Sequence, residues 1–401
     1  MQAVQAPIIP IIGDWLRRYP DSISLGQGVV FYGPPETALR AARDYPGAPT
    51  THRYGPVEGD PALHAAIRAK LATDNAVNVD DTQQQIVVTA GSNMGFMNTL
   101  FAITDPGDEI ILLAPYYFNH EMAIRMVGGR CIAVATDSDY QPDLAAIETA
   151  ITARTRAVVT VSPNNPTGAV YSRETLAAIN ELCRAHGIFH ISDEAYEYFV
   201  YDQAEHCSAA SLSGAAAHTI SLFSLSKTYG FAGWRIGYML IPTHLAEAVT
   251  KAQDTNLICP TRVAQQAAAA ALTTGSAYCR GYLQQLAQTR TRVLAKLRQL
   301  EPMAECPTAA GAFYILLRLH TGMDSMALAE QLVREYRVAV VPGHTFGCSA
   351  GCYLRISYGA LTGEAASAGF DRLITGLQAL LAESPDATTG AGIYSPDNNS
   401  N

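Results

Sequence analysis

The 401-residue sequence contains no long hydrophobic run. Its longest apolar stretches, such as Ile110 to Ala114 and Ala312 to Leu317, fall far short of the roughly 20 residues a bilayer crossing needs. No membrane span is expected. Positive charge is also scarce, with 27 Lys and Arg against 36 Asp and Glu for a net charge of −9. A phosphate backbone demands a basic stripe, so no nucleic-acid partner is expected. The segment Met1 to Ile12 is apolar and broken by proline, but it has no basic region and no small-residue cleavage site. No secretion signal is expected there. The eight cysteines are scattered, and the only close pair, Cys348 and Cys352, is not spaced as CxxC. Such thiols beside apolar residues suit a reducing cytoplasm better than a disulfide framework, and no histidine or cysteine spacing suggests a metal. GxxxxGK is absent, and the Gly26-Gln27-Gly28 run never completes GxGxxG. P-loop chemistry and a dinucleotide-dependent dehydrogenase are therefore disfavoured.

What is present is a chain 48% apolar and 16% charged, long enough to bury a sizeable core. From about residue 60 to 240, β-rich runs alternate with amphipathic helical stretches, the pattern of βαβ units. Strands are expected at Gln85 to Thr89, Glu109 to Leu113, Arg130 to Ala135, Ala157 to Ser162, Phe189 to Asp193, Thr219 to Ser224 and Gly237 to Ile241. Helices are expected at Asn93 to Ala102 and at Thr175 to His186, the latter started by Ser172 and stopped by Gly187. After Pro242 the pattern turns helical, with Val263 to Leu272 and a long run from Arg280 to Leu300. Beyond Glu301 a smaller α+β unit is expected, with strands at Ala312 to Leu317, Val338 to Val341 and Tyr353 to Ser357. Helices at Met326 to Tyr336 and Gly363 to Ala382 separate them. The polar tail from Glu383 is expected to be disordered.

Three short motifs carry chemistry, and each ends an expected strand. Ser224 to Tyr238, Ser-Leu-Ser-Lys-Thr-Tyr-Gly-Phe-Ala-Gly-Trp-Arg-Ile-Gly-Tyr, places a lysine among hydroxyls and glycines at the carboxyl end of a sheet, where open α/β folds bind ligands. Ile191 to Tyr196, Ile-Ser-Asp-Glu-Ala-Tyr, ends a buried strand in a carboxylate that needs a cationic or hydrogen-bonded partner. Ser162 to Gly168, Ser-Pro-Asn-Asn-Pro-Thr-Gly, is by itself only turn chemistry. The lysine alone reads equally as a surface-loop residue, and any one such turn is uninformative. All three in this order, with Lys227 34 residues after Asp193, are informative, since coincidence must produce them all.

Together they resemble the fold type I pyridoxal-phosphate enzymes, specifically the class I/II aminotransferases, from about Ile23 to Ala382. The resemblance implies an α/β fold with a large domain around a mostly parallel seven-stranded sheet and a small α+β domain. The expected division is an N-terminal arm with part of the small domain over 1–48, a large cofactor-binding domain over 49–290, a small domain over 291–383 and a tail over 384–401. It implies pyridoxal 5′-phosphate as cofactor, an amino acid and a 2-oxo acid as substrates, and a homodimer.

Carried onto matching positions, Lys227 is the Schiff-base lysine and proton shuttle, which requires an amine of lowered pKa. Asp193 pairs with the pyridinium nitrogen and keeps the ring an electron sink. Tyr196 and Asn165 hydrogen-bond the ring oxygen, and Tyr117 stacks on the ring. Gly91, Ser92 and Asn93, between a strand and a helix, offer backbone N–H groups to the phosphate, with Ser224 and Arg235 completing the cradle. Tyr54 reaches the cofactor of the neighbouring subunit. Arg355 holds the substrate carboxylate bidentately, as lysine could not, with Gly28 a backbone donor nearby.

Substrate choice is less defined. Dicarboxylate-specific members often carry a lysine in the place of Asn93, while Phe31 and Tyr32 stand close to the substrate pocket of the family. An aromatic or neutral L-amino donor is therefore favoured, with aspartate as the alternative. His52 and Arg53, beside Tyr54, could yet supply a contact from the partner. A lyase or oxidase using the same residues is a further reading, and a non-catalytic transcriptional sensor is disfavoured because no basic DNA-binding domain precedes the pattern.

Overall fold

The computed structural model describes residues 1–2 and 4–382. The tail from Glu383 therefore lies outside the described residues. A seven-stranded sheet dominates, in the order Gln84–Thr89, Gly237–Pro242, Thr219–Ser224, Phe189–Asp193, Thr155–Val161, Glu109–Ala114 and Arg130–Ala135. Six of these strands run in one direction, and Gly237–Pro242 is antiparallel to both its neighbours. Glu109–Ala114, Thr219–Ser224 and Gly237–Pro242 are buried along their whole length, as strands covered on both faces by helices must be. Their continuous apolar runs follow from that.

All six parallel strands open their carboxyl ends onto one edge. Each sequence motif begins where such a strand stops, so the topology alone gathers Ser92, Tyr117, Asn165, Asp193 and Lys227 there. The reversed strand enters from the same edge, and this brings Arg235, two residues before Gly237, to the same place. Helix Arg173–His186 has the expected ends: the Ser172 hydroxyl accepts from the Thr175 N–H, and Gly187 closes it at φ 66°.

A four-stranded antiparallel sheet follows, ordered Val341–Pro342, Cys352–Ser357, Tyr314–Leu319 and Ala304–Glu305. Ile23–Ser24 pairs in parallel with Val338–Ala339, so the start of the chain is tied to its last third. Helix Ile8–Arg18 secures that tie by burying Ile8, Ile12 and Trp15. Two strands differ from expectation. The strand expected from Ala312 starts at Tyr314, because Ala312 takes φ 53° and cannot join a ladder. The strand expected over Val338 to Val341 divides, one half pairing with Ile23–Ser24 and the other with Cys352–Ser357. The helical run expected to Leu300 ends at Leu297 and finishes in a tighter turn, Arg298–Leu300. Among the described residues no helix is long and apolar enough to cross a membrane. Nor does any group of three or more His, Cys, Asp or Glu stand ready to hold a metal.

Candidate active site

At the carboxyl edge of the large sheet lies a cavity open to solvent, with about 100 Å³ of enclosed space. Nine of the residues singled out from sequence line it: Ser92, Asn93, Tyr117, Asn165, Asp193, Tyr196, Ser224, Lys227 and Arg235. Asp193 and Lys227 thus face one space.

Lys227 sits in a single helical turn, Leu225–Thr228, that follows a fully buried strand. Its amine donates to the Gly28 carbonyl, and its own carbonyl accepts from the Tyr32 hydroxyl at 3.0 Å. Burial pushes the amine down to about 8, with the Arg355 and Arg235 guanidinium groups adding to the shift and Asp193 opposing it. Neutral amine, the form that attacks a carbonyl, is therefore available near physiological pH.

Asp193 is 3% exposed. Its Oδ1 accepts from the Ala195 N–H at 3.1 Å, and its Oδ2 lies 3.2 Å from His120 Nε2, within ion-pairing reach though not aligned as a hydrogen bond. His120 is fixed by Phe96, on which its ring stacks at 4.1 Å, and by the edge of Tyr117 at 5.1 Å. A buried carboxylate with this little compensation suits a cationic partner from within the cavity.

The opposite end is built for an anion. Helix Ser92–Ile103 begins after Gly91, which takes φ 79° and offers no side-chain cap, leaving first-turn N–H groups free to meet a ligand. A Cβ on Gly91 would overlap the Arg235 guanidinium, so only glycine lets that charge pass. Arg235 itself adopts φ 56°, a strained value for a side-chain-bearing residue, and donates to the carbonyls of Ala232 at 2.9 Å and Ala90 at 3.1 Å. Gly237 is needed for the same approach, since a Cβ there would meet the Ser92 nitrogen at 2.9 Å.

Between these poles, Asn165 Oδ1 accepts from Arg355 at 2.9 Å and its Nδ2 reaches the Tyr196 hydroxyl at 3.5 Å. Arg355 is buried behind the cavity. It donates to the Gly26 carbonyl at 2.6 Å and keeps a buried Nε without a partner, a donor left for a ligand. The Tyr117 hydroxyl is held by Asn119 at 2.8 Å and by the Asn93 side chain. Burial raises the phenols of both Tyr117 and Tyr196, so they act as hydroxyls, not phenolates.

Other expected residues stand elsewhere. Phe31 and Tyr32 do not line the cavity. Tyr32 stacks on Tyr282 at 4.1 Å and braces the Lys227 backbone, while Phe31 meets Tyr32 and Tyr282 edge-on. Tyr54 is 79% exposed and lies with His52 and Arg53 in a separate surface depression, away from this chain's own cavity. Sequence reasoning missed His120, Ser226, Gly237 and Tyr314. The repeated serine of Ser-Leu-Ser-Lys and the glycine following Arg-Ile were visible signals for Ser226 and Gly237. Nothing local marks His120 or Tyr314.

The chain matches the family model for aminotransferase class I and II over residues 20–373. It is 33% identical to the aromatic aminotransferase ISS1 of Arabidopsis thaliana, covering 94% of both chains. It is 34% identical to an aspartate aminotransferase of Pyrococcus abyssi, covering 84% of this chain and 87% of that one. Among solved structures it is similar to an aromatic aminotransferase from Pyrococcus horikoshii OT3. That match has a TM-score of 0.84 and 33% identity, over 92% of this chain and 99% of the other.

Proposed function

This chain belongs to the class I and II aminotransferases, enzymes that move an amino group between an amino acid and a 2-oxo acid. From that premise we propose that pyridoxal 5′-phosphate occupies the cavity and that an aromatic or neutral L-amino acid is the favoured donor. The observation that carries the assignment is the single cavity shared by Lys227, Asp193 and the Arg235 anion cradle. The donor set fits the cofactor: an uncapped helix start and a guanidinium for the phosphate, a buried carboxylate for the ring nitrogen, and an amine of lowered pKa for the aldehyde. When bound, that group supplies a carbonyl for the substrate amine and a ring that delocalises the electron pair left at Cα.

The chain's own residues do the rest. Ser92, Ser224 and Arg235 hold the anionic end and fix the depth of binding. Asp193, braced by His120 and the Ala195 N–H, would hold a proton on the ring nitrogen. Tyr117 would cover the ring, and Tyr196 with Asn165 would present donors to the ring oxygen. Arg355 clamps the substrate carboxylate and orients Cα toward the Lys227 amine. Lys227, whose lowered amine value makes the neutral form available, would move the proton at substrate Cα.

Donor preference follows from charge. Among the described residues the cationic side chains lining the cavity are Lys227 and Arg235, with Arg355 buried behind it, all with assigned duties, and Asn93 is engaged with Tyr117. Among the described residues no further cation lines the cavity for a second carboxylate. Aspartate remains the second reading, favoured by relatives such as the aspartate aminotransferase of Pyrococcus abyssi and by Arg53 beside the exposed Tyr54. In a homodimer, Tyr54 and Arg53 would reach the partner's cavity, and the cleft between a large unit of 49–290 and a small unit of 291–383 would close over substrate. The test supplies a panel of L-amino acids with 2-oxoglutarate and measures glutamate formed. Turnover with phenylalanine or tyrosine above aspartate supports this reading. Ammonia or peroxide formed without the oxo acid would instead indicate elimination or oxidation.

A further inference from the structure

We propose that Tyr314 is a positioning residue whose hydroxyl donates to Tyr196, leaving the Tyr196 proton directed into the cavity. The assignment rests on the cofactor reading above and adds a residue to it.

The two hydroxyl oxygens lie 2.7 Å apart, the separation of a well-formed O–H···O bond, and both side chains are buried. Each phenol has one proton, and only one proton fits between them. Were it the one on Tyr196, that hydroxyl would offer the cavity only a lone pair. The surroundings favour the other direction. The Arg355 guanidinium stacks on the Tyr314 ring at 4.6 Å from its centroid and draws electron density from that phenol. Burial raises both phenols: Tyr314 only to about 12, with Arg355 and its bond to Tyr196 opposing, and Tyr196 well above the usual phenol value, with Arg355 its smallest influence. The more acidic phenol of a neutral pair is the donor. Asn165 Nδ2, at 3.5 Å, is a second donor aimed at the Tyr196 oxygen, so that oxygen is satisfied as an acceptor and its proton is left for a cavity ligand.

Two features show that the corner is shaped for this contact. A Cβ on Gly28 would overlap the Tyr314 hydroxyl, so the glycine leaves the room that the hydroxyl fills. Tyr314 and Arg355 also lie on paired strands, Tyr314 opposite Ser357 and Leu316 opposite Arg355. The same strand pair that places the substrate clamp therefore sets the direction of the Tyr196 proton. The charged and titratable groups facing the pair are Arg355 and Tyr117.

The test titrates the visible absorbance of the holoenzyme against pH, without amino donor, in wild type, Tyr314→Phe, Tyr196→Phe and the double variant. Tyr314→Phe keeps the ring and removes only the hydroxyl. Weakening the donor to the ring oxygen should move the titration midpoint upward by about half to one pH unit, the size of one hydrogen bond's net effect. Because Tyr314 acts through Tyr196, the double variant should titrate like Tyr196→Phe alone. An unmoved midpoint in Tyr314→Phe, even with lower thermal stability, overturns the proposal, as does an equal further shift in the Tyr196→Phe background. If Tyr314→Phe does not fold, Gly28→Ala displaces the same hydroxyl and must give an upward shift. A wild type that takes up no cofactor colour defeats the cofactor reading itself, a result distinguishable from coloured protein with an unmoved midpoint.

Discussion

Lys227 should be the most aldehyde-reactive lysine of the cofactor-free protein at neutral pH. Its amine is pushed down to about 8, against an ordinary value of 10.5. At pH 7 that leaves roughly one amine in ten neutral, where an unperturbed lysine has roughly one in three thousand, an advantage of about 300-fold. The sign follows from burial, which disfavours the ammonium form; Arg355 and Arg235 push the same way and Asp193 against. Reductive labelling with a small aldehyde and cyanoborohydride, quantified peptide by peptide by mass spectrometry, should give a Lys227 rate that rises through an inflection near pH 8. In urea-unfolded protein the same peptide should inflect more than two units higher. Since burial is the largest cause, Arg355→Leu should raise the folded-state inflection while leaving it short of the unfolded value. A Lys227 inflection in the folded protein equal to that of the unfolded chain would refute this reasoning.

Three further outcomes are expected. Lys70 and Glu197 form a buried pair at 2.5 Å, their side chains 5% and 6% exposed, and Asn75 is the other partner of the carboxylate at 2.9 Å. Lys70→Met should therefore cost about 3–5 kcal/mol in chemical denaturation, and adding Glu197→Leu should recover much of the loss; a double variant as unstable as the sum of two singles contradicts this. Gly168 and Gly187 both adopt positive φ, but a Cβ at Gly168 would meet Ala309 Cβ at 2.6 Å and the Tyr314 carbonyl at 2.8 Å, while at Gly187 it meets nothing. Gly187→Ala should cost about 1 kcal/mol and Gly168→Ala clearly more, in parallel thermal melts; equal losses would deny the steric argument. Finally, co-refolding Tyr54→Ala with Lys227→Ala subunits should restore about a quarter of wild-type sites, since half of randomly mixed dimers carry one intact site. If the mixture is no more active than its parents, Tyr54 does not act across an interface.

The large sheet was legible in the sequence because its inner strands are buried on both faces and therefore read as apolar runs, while the edge strand Arg130–Ala135 is only partly covered. Phe189–Asp193, Thr219–Ser224 and Arg130–Ala135 begin and end where composition indicated. Eight of the nine cavity residues were legible because each ends or closely follows a strand at its carboxyl end, where a local motif carries both the turn and the chemistry, and the ninth, Arg235, shares the Lys227 motif just before the reversed strand. What was not legible depends on distant packing. His120 lies on helix Phe118–Met126, and only its stack on Phe96 turns it toward Asp193. Tyr314 sits in a strand whose apolar neighbours disguise it as core. The division of the segment around Val340 depends on two partners, Ile23–Ser24 and Cys352–Ser357, that no local pattern reveals. Tyr32 stood near the right motif, yet its ring is held by Tyr282, some 250 positions along the chain.

One amine at one strand end, that of Lys227, is proposed to bind the cofactor aldehyde. That binding is tested most directly by mixing the protein with pyridoxal phosphate, reducing with borohydride and mapping the mass increment by peptide sequencing. A phosphopyridoxyl group is expected on Lys227 and is expected to be lost in Lys227→Ala. An increment on another lysine, or none at all in folded wild-type protein, would contradict that expectation.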